Sequence, residues 1–177
     1  VGDKVGVWTL TQLIGAGGMG KVFRCTSGES VAAVKVLNAV VSANETGVAR
    51  FEREVGITKE LNHKNIITVL DSGVIDLRGL NYRYMVLEYL ATDIGKVVEW
   101  KGPLAPAQAV EVVLGAAYAL ATAHDKGVVH RDVKPENILL KEEKPLMEHV
   151  RLADFGVAGL THEQSNLTMT TAAVGSP

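Results

Sequence analysis

Residues 15–20 read Gly-Ala-Gly-Gly-Met-Gly, and the pattern Gly15-x-Gly17-x-x-Gly20 sits between two apolar, strand-like stretches, 7–14 and 22–25. The segment after the glycines is the constraint. A Gly-x-Gly-x-x-Gly run that opens a helix belongs to a dinucleotide-binding βαβ unit. Here Val22-Phe23-Arg24-Cys25 continues as a strand, so the glycines cap an antiparallel hairpin. At such a tip they let backbone N–H groups approach phosphate oxygens without interference from a Cβ. The pattern is weak by itself. With 18 glycines in 177 residues it arises readily by chance, and an ordinary β-turn stays open as the alternative.

The rest of the first half continues the β character. Residues 26–30 form a turn, 31–37 are β-branched and apolar, 50–62 have helical period, and 66–70 and 82–90 are two more strands joined by a polar, Gly-containing connection. The second half changes. Pro106 suits a first helical position, apolar residues follow at 109, 112, 113, 116 and 120, and Lys126-Gly127 closes the helix. Residues 128–129 and 138–140 flank a polar loop, 141–149 form a charged hairpin tip, and 150–153 return as a strand. The expected fold is α+β, with a β-rich lobe over 1–90 and a mainly helical part over 91–177.

Composition removes several classes of function. With 18 basic and 20 acidic residues the net charge is −2, which argues against nucleic-acid binding by phosphate neutralisation. The one cysteine, Cys25, excludes an internal disulfide framework and a multi-cysteine zinc site, and suits a reducing compartment. The longest uncharged apolar run, 112–123, is shorter than the ~18 residues of a membrane span. No basic region followed by an apolar core marks a signal peptide. The expectation is a cytoplasmic chain, with any membrane anchor lying downstream of residue 177. Cys25, on a strand, reads as structural, and His124, His149 and His162 show no ligand spacing.

The charged residues carry the chemistry. Lys35 shares a strand face with Ala33 and Val31. A lysine on an apolar face needs an anion and a carboxylate partner. On the helix over 50–62, at about 100° per residue, Glu54 falls inside the arc of Phe51, Val55, Thr58 and Leu61, while Glu52 and Glu60 fall outside. Glu54 is the candidate partner. The strongest signal is His130-Arg131-Asp132-Val133-Lys134-Pro135-Glu136-Asn137, followed after a strand by Asp154-Phe155-Gly156. A spacing of His, Arg, Asp, Lys and Asn this specific is not a chance event in one chain.

In order and context these segments resemble the motif set of Hanks-type serine/threonine protein kinases. The Gly-Gly-Met-Gly wording and Thr-Thr-Ala-Ala-Val-Gly near the end resemble the bacterial branch. The resemblance implies a bilobal protein-kinase-like fold, with a complete small lobe and the first part of the large one. It implies transfer of the γ-phosphoryl group of ATP to Ser/Thr hydroxyls of protein substrates, with Mg²⁺ or Mn²⁺. By resemblance Asp132 orients the hydroxyl and accepts its proton, Lys134 neutralises the transferring group, and Asn137 and Asp154 hold the metal. Lys35 would hold the α/β-phosphates and pair with Glu54, and Gly15, Ala16, Gly17, Gly18, Met19 and Gly20 would cover the phosphates. Ile14, Val22, Ala33 and Leu139 would surround adenine, with Leu87 as gatekeeper and Glu88 and Leu90 as the hinge. Thr168, Thr170 and Thr171 would accept activating phosphate opposite Arg131, in trans within a homodimer.

Two departures stand out. Thr58, four residues after Glu54, replaces a larger apolar residue and is expected to loosen that helix. The Ala-Pro-Glu motif and later helices implied by the resemblance are absent. The isolated chain is therefore expected to be a poorly soluble, weakly active fragment, with Val112, Val113 and Leu120 bared on the long helix. A competing reading is a pseudokinase-like nucleotide-binding interaction module, marked by loss of Lys35, Asp132 or Asp154; all three are intact. A small-molecule phosphotransferase of related fold would lack the Lys-Pro-Glu-Asn wording.

Overall fold

The computed structural model describes residues 2–77, 79–155 and 159–160. Strands β1 (Lys4–Val5), β2 (Trp8–Ala16), β3 (Gly20–Ser27), β4 (Ser30–Leu37), β5 (Val69–Leu77) and β6 (Leu80–Glu88) form one antiparallel sheet, in the order β1-β2-β3-β4-β6-β5. The glycine run joins β2 to β3 as a hairpin. Gly28, with φ +57°, turns β3 into β4.

Two helices lie between β4 and β5: α1 (Ala39–Ser42) and α2 (Glu45–Glu60). α2 starts earlier than its apolar period suggests, because Asn44 caps it by accepting the Gly47 N–H at 3.0 Å. The strand expected at 66–70 is displaced. Ile66 instead forms a parallel bridge with Leu152, and β5 begins at Val69. Asp71, Ser72 and Gly73, expected in a connection, lie inside β5. β5 is an edge strand, where polar residues face water without loss. A Cβ at Gly73 would lie 2.9 Å from the Tyr84 hydroxyl, so a larger residue there would have to displace that ring.

Beyond β6 come β7 (Thr92–Asp93), α3 (Ile94–Lys101), α4 (Pro106–Asp125), β8 (Val128–Val129), β9 (Ile138–Leu140), β10 (Val150–Leu152) and β11 (Gly159–Leu160). β10, β9 and β7 make a three-stranded sheet, and β11 pairs with β8. α3 escapes the sequence pattern because it has only eight residues and buries only Ile94 and Val97; its signals are the Asp93 cap and Gly102 at φ +80°.

α4 buries a stripe of mostly small residues: Val112, Gly115, Ala116, Ala119 and Ala123. This corrects the expected exposed face. Val112 is buried and Leu120 packs partly against the core, whereas Val113 is exposed together with Val110, Leu114 and Tyr118. By length and composition α4 also meets the requirement for crossing a membrane, which the shorter 112–123 run did not suggest; its small-residue face packs inside the fold. Phe155 anchors the cluster beneath α4 with Leu61, Ile66, Ala119, Ala123, Val128 and Leu152.

Candidate active site

A cleft of about 570 Å³ opens between the six-stranded sheet and the β9–β10 region. Ile14, Gly15, Val22, Ala33, Leu87 and Glu88 line it from the sheet, Leu139 from β9, and Leu90 from the segment after β6. Lys35, Glu54, Asn137 and Asp154 line it too. Ala16, Gly17, Gly18, Met19, Gly20, Asp132 and Lys134 do not.

Lys35 Nζ donates to Glu54 Oε1 at 2.7 Å and to Asp154 Oδ1 at 3.3 Å. The helical angle of Glu54 thus matches its placement: Glu54 is buried, while Glu52 lies outside and pairs with Arg83 at 2.6 Å. Burial acts to lower the Lys35 pKa, but the charges and hydrogen bonds of Glu54 and Asp154 outweigh it and hold the ammonium above the ordinary lysine range. Burial pushes the Glu54 carboxyl up, Lys35 opposes this, and Asp154 adds to it. The two shifts pull the pair in opposite senses. The 2.7 Å contact, with Lys35 firmly charged, supports the ionised pair. Among the described residues Glu54 Oε2 is buried without a donor.

The loop after β8 supplies a second cluster. Lys134 Nζ donates to Asp132 Oδ2 at 2.7 Å, and Asn137 Nδ2 donates to Asp132 O and Oδ2 at 2.8 and 3.1 Å. The Lys134 bond holds the Asp132 carboxyl below its usual range. The same bond holds Lys134 above its own. His130, buried under Phe155 at 4.7 Å between rings, meets the Ala153 carbonyl through Nε2 at 2.9 Å and accepts the Asp132 N–H through Nδ1 at 3.2 Å. Arg131 and Asp154 both hold left-handed backbone, φ +66° and +68°. Such strain at non-glycine residues costs about 1–3 kcal/mol each, and here it frames the two acidic groups.

The protein kinase domain family matches residues 8–177. The chain belongs to this family. Relatives include the serine/threonine-protein kinase pkn3 of Myxococcus xanthus, 39% identical over 157 residues, covering 87% of this chain and 28% of that protein. PknH of Mycobacterium bovis is 36% identical over 178 residues, covering 99% of this chain and 28% of that protein. PknB of Mycobacterium leprae is 34% identical over 172 residues, covering 96% and 27%. The chain therefore spans little more than a quarter of the length of these relatives.

Within this kinase fold the glycines divide by role. A Cβ on Gly17 or Gly18 would meet nothing within 4 Å, so these positions are open to a ligand. A Cβ on Gly20 would lie 2.1 Å from the Val36 carbonyl oxygen, so Gly20 serves the approach of β3 to β4. Met19 turns inward, against the cluster of Leu37, Phe51, Val55 and Met85. Thr58 is buried and donates its hydroxyl to the Glu54 carbonyl at 2.7 Å, a bond within the helix that satisfies the buried hydroxyl. Cys25 is fully buried and donates to the Ala32 carbonyl at 3.3 Å, and burial pushes its thiol pKa up. Asp93, Lys96 and Trp100 also line the cleft from β7 and α3, and the sequence pattern missed them because it missed the helix. Thr168, Thr170 and Thr171 lie outside the described residues.

The donor set suits a hard divalent cation. Asn137 spends its amide nitrogen on Asp132, which leaves Oδ1 without a hydrogen bond among the described residues; Asp154 keeps a half-exposed carboxylate. No group of three His, Cys, Asp or Glu side chains is arranged to hold a metal among the described residues. A small divalent cation held by few protein oxygens completes its shell from water or substrate phosphates.

Proposed function

We propose that the chain is the ATP-binding and catalytic part of a serine/threonine protein kinase, with 1–90 as the nucleotide lobe and 91–177 as the start of the substrate lobe. The observation that carries this is Lys35 held between Glu54 and Asp154, beside the Asp132–Lys134–Asn137 cluster. Glu54 aims Lys35 at the α/β-phosphates. Lys134 and Asn137 keep Asp132 ionised and aimed, so that it orients a Ser/Thr hydroxyl and takes its proton. Lys134 then offers its charge to the transferring group. A divalent cation on Asn137 Oδ1 and Asp154, Mg²⁺ or Mn²⁺, would neutralise phosphate charge. Catalysis rests on positioning and charge.

The test uses the full-length protein with labelled ATP and Mg²⁺ or Mn²⁺ in parallel. Asp132→Asn should lower phosphate transfer to Ser/Thr-containing protein by about 10²–10⁴-fold. Wild-type turnover in that variant, or in excess chelator, would sink the proposal.

A further inference from the structure

Among the described residues, one side chain, that of Asn38, hydrogen-bonds the tip of the glycine-rich turn. Asn38, the residue between β4 and α1, donates Nδ2 to the Gly18 carbonyl at 2.7 Å and its N–H to the Met19 carbonyl at 3.0 Å. Its Oδ1 accepts the Val41 N–H at 2.8 Å and caps α1, and its carbonyl accepts the Ser42 N–H at 2.9 Å. Every polar group of Asn38 is engaged, half of them with the turn and half with α1. The two carbonyls at the tip of the turn are thereby committed to protein donors. The N–H groups of Gly18 and Met19 make no hydrogen bond among the described residues.

A second path runs through packing. At an exposed hairpin tip Met19 is partly buried, against Leu37, Phe51, Val55 and Met85, and Val41 of α1 joins the same cluster. Phe51 and Val55 flank Glu54 on α2. α1 sits directly on α2: a Cβ on Gly47 would lie 2.6 Å from Val41 Cγ1. The turn, α1 and the Glu54-bearing face of α2 therefore form one packed unit.

We infer that Asn38 and Met19 are positioning residues that latch the glycine-rich turn onto α1 and α2, coupling its place over a nucleotide to the place of Glu54 beside Lys35. The inference rests on the nucleotide-binding reading of the cleft. Neither residue touches the reacting atoms. Coupling of this kind is reciprocal: a nucleotide that holds the turn must also steady α2.

The experiment compares full-length wild type with Asn38→Asp, Met19→Ala and Met19→Leu, using ADP with Mg²⁺ as probe. Asn38→Asp keeps an oxygen that caps α1 but replaces the donor to Gly18 by an anionic oxygen, so Asn38→Ser, which can still cap α1 and adds no charge, is measured beside it and should behave the same way. Calorimetry gives ADP affinity, and hydrogen exchange follows the amides of residues 45–60 with and without ADP. In wild type, ADP should slow exchange over 45–60. In Asn38→Asp and Met19→Ala the affinity should fall about three- to tenfold, the scale of one lost hydrogen bond or contact, and the slowing over 45–60 should disappear. Met19→Leu should restore both. Wild-type affinity and undiminished slowing in Asn38→Asp and Met19→Ala would overturn the latch alone. Failure of wild type to bind ADP would overturn the nucleotide reading, and the latch with it.

Discussion

Replacing Gly20 by alanine separates the two roles of the glycine run. Gly20 pairs with Leu37 across β3 and β4, and its backbone is not in the left-handed region, so conformation alone permits alanine. Space does not. The new Cβ would lie 2.1 Å from the Val36 carbonyl oxygen, 2.9 Å from its carbon and 3.0 Å from Leu37 Cα. These are backbone atoms that no rotamer change can move, so the strands must part at this end of the ladder. Overpacking of this kind costs about 1–3 kcal/mol, and a broken ladder bond adds about 0.5–1.5 kcal/mol. Together these give a loss of about 1.5–4.5 kcal/mol. Gly17→Ala is the control: with nothing within 4 Å and no left-handed φ, it should leave stability within about 0.5 kcal/mol of wild type while raising KM for ATP. Urea denaturation of both variants, with ATP kinetics on Gly17→Ala, decides the matter. Gly20→Ala unfolding at the wild-type midpoint would refute the steric argument, and Gly17→Ala losing stability as Gly20→Ala does would refute the division of roles.

Gly115→Ala should destabilise by about 1–3 kcal/mol, because its Cβ would lie 2.7 Å from Val150 Cβ and 3.2 Å from the Met147 carbonyl. Val150→Ala removes Cγ1, which would lie 2.9 Å from the new Cβ, but keeps Cβ, so in a denaturation cycle the two losses should be partly non-additive, and full additivity would contradict the Cγ1 contact. Glu54 has a raised pKa, Asp132 a lowered one, and Lys35 stays charged. As pH falls Glu54 takes a proton first, so the acid limb of kcat/KM should lie above the ordinary glutamate value of about 4.3; a limb at or below it would contradict the assignment. Thr168, Thr170 or Thr171 should be autophosphorylated in the full-length protein, each phosphate adding charge of about −1.5 to −2 opposite Arg131. Full activity with all three unmodified by mass spectrometry would contradict this.

The legible part of the site was written in two ways: motif spacing, which named Asp132, Lys134, Asn137 and Asp154, and local periodicity. Lys35 on a strand face and Glu54 on a helix face each follow from one element, and they meet because both elements bury that face. Features that needed a third element stayed hidden. Gly20 looks like its neighbours in sequence, and only the approach of β4 gives it a different role. Met19 looks like an exposed tip residue until α1 and α2 lie under it. β5 was misplaced because an edge strand lacks the buried face that announces a strand, and α3 was missed because eight residues bury too little to show a period. The strained residues were beyond any local rule. Arg131 and Asp154 adopt backbone that propensity disfavours, and Glu54 buries an oxygen with no donor among the described residues. None of these three features stabilises the fold. They cluster around Lys35 and Asp132, where the chain binds charge, and a fold holds such strain only where its surroundings over-determine it. The packing beneath them does so: His130 on Phe155, and Leu152 bonded to both Asn65 and Ile67. Relieving that packing, rather than touching an acidic group, should therefore disturb both acidic groups together.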